Sequence, residues 1–163
     1  FARRVILKVS KIVNVEKHPG GDKLYILKLD CGEEEPRQIV SSIVPFYTID
    51  ELMNRNIVLV SNLKPANFRG VKSYGMLLAA SDKNDETHAT CELIFCDDIT
   101  PGTVLKYEGE GDDTEKVTTY IKPDHFFALP MKTIDGYVTI DGKKLGADGH
   151  FLRVFKYVDG NVG

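Results

Sequence analysis

Val5, Leu7, Val9, Val13 and Val15 occupy every odd position from 5 to 15 except Lys11. Apolar residues at a period of two predict a long, half-buried strand. His18-Pro19-Gly20-Gly21-Asp22 is a turn by composition, after which Tyr25, Leu27, Leu29 and Cys31 alternate again as far as Gly32. An acidic turn, Glu33-Glu34-Glu35-Pro36, leads into a third strand from Gln38 to Val44. Thr48 and Glu51 then stand three apart, so each side chain can satisfy a free N–H in the other's turn. With Ile49, Leu52 and Met53 on one face, this predicts a short helix over 48–53. Strands follow at Asn56–Leu63, Met76–Ala80, Leu93–Phe95 and Val104–Tyr107, with a polar loop over 81–90.

Many short strands with one small helix between the third and fourth match the order of an OB barrel. Gly109 to Thr114 is acidic and glycine-rich and is expected to mark a junction. Beyond it, Asp135-Gly136, Asp141-Gly142 and Asp148-Gly149 suit two-residue hairpin turns, since Asp and Gly tolerate positive φ. Phe151, Phe155 and Tyr157 alternate with Leu152, Val154 and Val158. A strand apolar on both faces predicts burial on both faces, so this second part should pack on the barrel. The expected architecture is mainly β: a barrel domain over 1–107 and a small β-rich subdomain over 108–163.

Charge changes the picture by its distribution. The chain carries −3 overall. Residues 1–80 hold 12 Lys+Arg against 8 Asp+Glu (+4), and residues 81–163 hold 9 against 16 (−7). A basic first half can attract phosphate, because steering follows the local field. Cys31, Cys91 and Cys96 form no paired framework, which suits a reducing compartment, and Cys91 and Cys96 read as ordinary strand residues. No apolar run reaches the roughly 18 residues of a membrane span. The chain opens at Phe1 and is expected to be a domain of a longer protein. His18, His88, His125 and His150 are scattered, with His18 and His88 expected at the surface. Asp97-Asp98 reads as a solvated turn. No Walker loop, dinucleotide fingerprint or nucleophile elbow is present, so binding is expected here, with neither catalytic residue, metal nor cofactor.

The most informative stretch is Asn62 to Met76, which links two predicted strands. It holds Lys64, Arg69 and Lys72 and no acid, with Gly70 and Gly75 able to take unusual backbone conformations. Such a loop can bring cations and backbone donors to a phosphate chain. Asn62, Asn67 and Ser73 can hydrogen-bond to a base edge or ribose, and Phe68 and Tyr74 can stack on an unpaired base. The same composition also suits a solvated basic loop with a buried Phe68.

The run Asn62–Met76, together with Lys17-His18-Pro19, Gly21-Asp22-Lys23-Leu24-Tyr25 with Asp30 and Gly32, and Arg37-Gln38-Ile39-Val40-Ser41-Ser42, resembles the tRNA-binding domain family of the endothelial-monocyte-activating polypeptide II type. The resemblance is strong over 5–107. It extends more weakly through Ile121-Lys122-Pro123-Asp124 to the C-terminal hairpins. It implies a five-stranded OB barrel that holds tRNA by shape and backbone, with contacts at Asn62, Lys64, Arg69, Lys72 and Ser73, Met76 as contact or core filler, and Ser41 and Ser42 on the adjoining strand. Ser42 stands where the family has Gly. The resemblance also implies a cytoplasmic, non-catalytic extension of an aminoacyl-tRNA synthetase, with methionyl first and lysyl or tyrosyl as alternatives. In such chains the C-terminal subdomain packs where smaller relatives place a dimer partner, which implies a monomer. Other synthetases or synthetase-associated proteins are further possible partners. A second implied role is a protein-interaction or cytokine-like module, for which Lys8-Val9-Ser10-Lys11-Ile12-Val13-Asn14 aligns with the family's signalling heptapeptide.

Overall fold

The computed structural model describes residues 5–110 and 120–163. Of the expected junction at 109–114, residues 111–114 lie outside the described residues. β1 (Leu7–Lys17), β2 (Tyr25–Asp30) and β3 (Arg37–Ser41) form an antiparallel meander, followed by α1 (Ile49–Leu52) and β4 (Asn56–Val60). β5 (Ala66–Phe68) and β6 (Val71–Ser73) pair with each other, and β7 (Met76–Leu77) returns beside β4. The first sheet runs β3-β2-β1-β4-β7. Its open edges approach each other, with Tyr74 N donating to Gln38 O at 2.9 Å and Val40 N to Ser73 Oγ at 2.9 Å. The result is a nearly closed five-stranded barrel.

The barrel interior is filled by Ile12, Val15, Leu27, Leu29, Ile39, Ile57 and Leu59, with Leu52 of α1 buried among them. The expected capping box is present: Thr48 Oγ1 accepts from Glu51 N, and Glu51 Oε1 accepts from Thr48 N. Together these bonds let a helix of only four residues end cleanly against the core.

The alternation expected along β1 is broken. Ile12 pairs with Leu29 and Asn14 with Lys28, so Val13 is an extra residue in a bulge. Ile12 is fully buried while Val13 is 36% exposed. The bulge also turns the strand, which pairs with β4 over Leu7–Lys11 and with β2 over Lys11–Lys17.

A second sheet contains β8 (Ala79–Ser81), β9 (Glu92–Leu93), β10 (Lys106–Tyr107), β11 (Met131–Ile134), β12 (Tyr137–Ile140), β13 (Lys143–Ala147), β14 (His150–Phe151) and β15 (Asn161–Val162). Its order is β10-β13-β12-β11-β15-β8-β9, with β14 on β13. The single strand expected at 76–80 is therefore two, one in each sheet. The three Asp-Gly turns behave as expected: Ile134 pairs with Tyr137, Ile140 with Lys143 and Ala147 with His150, and both residues of each turn have positive φ. α2 (Pro123–Phe127) carries buried Phe126 into the space between the sheets.

All five residues of β4 are buried. Ile57 and Leu59 point into the barrel, whereas Val58 and Val60 join Leu7 and Val9 in a second core. That core is completed by Phe126, Leu129, Val138, Ile140, Leu145, Leu152 and Val154 from the C-terminal part. The two-sided burial expected of 151–158 is thus corrected. Leu152 and Val154 are buried, but Phe151 is 48% and Phe155 83% exposed. No continuous strand forms there, because three backbone N–H groups at 155–157 instead wrap the Glu92 carboxylate.

Because the bulge decides which neighbour enters the core, Ile12→Ala is expected to cost about 2–5 kcal/mol. Val13→Ala should cost about 0.5 kcal/mol or less. Urea unfolding midpoints read both, and equal losses would place the register elsewhere.

Candidate nucleic-acid interface

The segment from 62 to 76 is a projecting β-hairpin with a buttressed base, where the sequence suggested a loop. Asn62 is 6% exposed, and its Oδ1 accepts from Ile6 N at 2.9 Å. Next to it, Leu63 bridges to Ile121 in parallel. Ile121 N donates to Asn62 O at 2.7 Å, and Lys64 N to Ile121 O at 3.0 Å. β5 and β6 then rise, with Asn67 opposite Lys72 and Phe68 opposite Val71. Arg69 (φ 50°) and Gly70 (φ 89°) make the two-residue turn, and Asn67 Oδ1 accepts from Gly70 N at 2.8 Å. An arginine at a left-handed position is a weak sequence signal for such a hairpin, where Asn or Asp would have been a strong one.

His18 fastens the hairpin tip to the turn between β1 and β2. The ring is 6% exposed, contrary to the surface position expected for it. Its Nδ1 accepts from Gly20 N at 2.8 Å, which leaves the proton on Nε2 to donate to Phe68 O at 2.9 Å. Arg69 Nη1 adds a bond to Gly20 O at 3.0 Å. Exposed Lys17 and Lys23 flank the same turn.

On the returning side, Gln38 Nε2 donates to Lys72 O at 2.9 Å, and Ser73 Oγ donates to Gly75 O at 3.0 Å. Ser73 is 2% exposed. A Cβ on Gly75 would lie 2.9 Å from Val60 O, so this glycine permits close backbone approach. Arg37 pins the hairpin's foot: Nη1 donates to Ser61 O at 2.5 Å and to Tyr74 O at 3.2 Å. Its Nε and Nη2 bind the Glu33 carboxylate in a fork. The guanidinium holds the Glu33 carboxyl below the usual carboxylate range.

The expected contact residues therefore divide. Lys64, Asn67, Arg69 and Lys72 are exposed, and Phe68 and Tyr74 are 39% and 41% exposed. Asn62 and Ser73 are buried, with Asn62 Oδ1 and Ser73 Oγ bound to backbone groups. Met76 is half-buried against the outer core beside Val60. Ser41 is half-buried opposite Tyr25 at the end of β3, and Ser42 is exposed just after it. Sequence reading overlooked His18 and Arg37. The motif Lys17-His18-Pro19 was visible, but nothing local told that its ring reaches 50 residues along the chain.

The remaining chemical candidates are structural. Burial pushes the thiols up, Cys31 to about 11, Cys91 to about 11 and Cys96 to about 12, so they stay protonated at neutral pH. Asp97 is more than a solvated turn residue: it accepts from Arg55 Nε and from Asn56 N, both at 2.8 Å. Among the described residues, no three His, Cys, Asp or Glu side chains gather as a metal site. None of their helices is long and apolar enough to cross a membrane. In Lys8–Asn14 the fold buries Val9, Ser10 and Ile12 within β1.

Removing the imidazole orphans Gly20 N and Phe68 O. His18→Ala is expected to cost about 1–3 kcal/mol and to speed amide exchange at Gly20. Unchanged exchange there would show that the ring is not the clasp.

Comparison with known proteins gives the family and the fold. Residues 7–103 match the model of the family described as "Putative tRNA binding domain". A methionine–tRNA ligase of Treponema denticola is 40% identical over 172 residues, covering all of this chain and 22% of that protein. One from Borrelia turicatae is 37% identical over 145 residues, covering 89% of this chain and 20% of its own length. The chain thus spans about a fifth of the curated relatives it matches. The C-terminal domain of Plasmodium vivax p43 superposes with a TM-score of 0.86 at 24% identity, covering 100% of this chain and 99% of that one, which shows a shared fold. A MetRS-related protein from Pyrococcus horikoshii gives 0.56 at 31% identity over 63% of this chain and 90% of its own. With the family model covering more than half of its length, the chain belongs to the tRNA-binding domain family.

Proposed function

We propose that this chain is a non-catalytic module that binds tRNA without strong sequence choice, in cis to a methionyl-type aminoacyl-tRNA synthetase, and raises the enzyme's hold on its substrate. The observation that carries this reading is the acid-free hairpin with Lys64, Arg69 and Lys72 exposed on a backbone fixed by His18, Gln38 and Ser73. Cations on an ordered ribbon meet phosphates at little conformational cost. Phosphate contacts fix position without reading sequence, which suits a partner recognised by shape.

Asn67 and Lys72 share one face of the hairpin by their pairing, and Arg69 stands at its tip. Lys17, Lys23 and Ser42 extend the surface across the neighbouring turn. Asn62 and Ser73 contribute by holding the hairpin's base. The relatives named methionine–tRNA ligase are several times longer than this chain, which supports an appended module and, with it, a cytoplasmic location. Residues 1–107 would form the RNA-binding barrel and 108–163 the subdomain that covers its outer side.

Lys64→Glu with Arg69→Glu is expected to weaken binding to many tRNA species. It should also shrink the slope of log K against log salt by about 2, one unit per lost phosphate contact. Gel shifts across a salt series test this. Wild-type binding by a double variant with unchanged circular dichroism would place the RNA elsewhere.

The outer face of β1 and β4 is covered by the chain's own C-terminal part, so the isolated protein should be a monomer. Sedimentation equilibrium is expected to give 18.2 kDa, and a tight dimer would contradict this.

A further inference from the structure

A cleft of about 470 Å³ opens beside the hairpin's foot, lined by Lys28, Arg37, Gln38, Pro65, Tyr74 and Tyr120. We propose that it receives one unpaired nucleobase of the bound RNA, with Tyr120 of the C-terminal part as its stacking wall. This rests on the reading of the chain as an RNA-binding module. The volume falls in the roughly 300–1,000 Å³ range of small-ligand clefts.

Its chemistry differs from that of the hairpin above it. Lys28 and Arg37 are balanced by Glu33 and Glu35, which also line it. Glu33 already takes the fork of Arg37. Such a cleft offers little pull on a phosphate. What it offers is ring surface: Tyr120 is 63% exposed and Tyr74 41% exposed. Aromatic faces left open to water, beside proline and without net charge, suit an uncharged heterocycle. The phosphates on either side of that base would then lie near Lys64 and Lys72, on the adjoining hairpin.

The walls are set before any ligand arrives. Gln38 Oε1 accepts from Lys28 Nζ at 2.7 Å, while its Nε2 holds Lys72 O. Arg37 is bound to Ser61 O, Tyr74 O and Glu33. Tyr120 is delivered by its neighbour Ile121, stitched to Asn62 and Lys64 on both sides of the bridge. Little side-chain freedom remains to be lost at Gln38 and Arg37 on binding. The C-terminal part thereby supplies a ligand-facing residue as well as covering the barrel.

The test titrates wild type, Tyr120→Ala and Tyr120→Phe with two RNA hairpins of equal stem, one bearing an unpaired 3′ overhang and one blunt. Wild type is expected to prefer the overhang. Tyr120→Ala should weaken overhang binding about tenfold, leave the blunt stem unaffected, and keep the salt slope. Tyr120→Phe should restore the preference, since the ring face is retained. Wild-type affinity of Tyr120→Ala for the overhang, or equal loss on both RNAs, would overturn the base-receiving cleft while leaving the RNA-binding reading intact. Failure of wild type to bind tRNA or either hairpin would overturn that reading and the cleft with it.

Discussion

Two-sided burial of β4 is the constraint on which the rest of this fold depends. A barrel needs only one apolar face on each strand, and Ile57 and Leu59 supply it here. Val58 and Val60, with Leu7 and Val9 on the neighbouring strand, form a second apolar face that the barrel cannot cover. Each fully buried aliphatic side chain contributes about 1.5–3 kcal/mol. Exposing these four would therefore forfeit roughly 6–12 kcal/mol, comparable to the whole stability of a domain at about 5–15 kcal/mol. Residues 121–154 supply the missing cover, and β15 pairs with β8 so that the covering sheet is continuous with strands of the first half.

That arrangement also positions the surface proposed to meet RNA. The basic hairpin leaves the end of β4, and Ile121 pairs with its foot at Asn62 and Lys64. Packing of the C-terminal part and anchoring of the hairpin's foot are thus one structural event. The clasp at His18 and the fork at Arg37 fix the two ends of the same ribbon. A net charge of −3 is no obstacle to an anionic partner, because Lys64, Arg69 and Lys72 of the hairpin are exposed while Glu33 is occupied by Arg37. The proposed division of labour follows local charge: lysines and arginine for phosphate, a balanced aromatic cleft for a base.

Much of this was legible in the amino-acid order. The capping box at Thr48 and Glu51, the three Asp-Gly turns, and the placement of a helix between the third and fourth strands all rest on interactions between residues close in sequence. The acid-free run 62–76 was equally plain. Its hairpin form was not, since Arg69 occupies a turn position usually marked by Asn, Asp or Gly. The bulge at Val13 escaped notice because a period of two says nothing about where a register slips. The strand expected at 151–158 failed for a related reason: alternation cannot tell burial by a second sheet from exposure at a rim.

What the chain determined by itself is therefore the set of local elements and the identity of the cations, because capping, turn preference and charge are properties of neighbouring residues. Only the tertiary structure decided which strand would be buried twice, that Asn62 and Ser73 turn inward, and that His18 fastens the hairpin's tip while Ile121 pairs with its foot. Those outcomes depend on contacts between residues 33 or more positions apart. They are fixed by how two apolar faces close on each other, which no local pattern records.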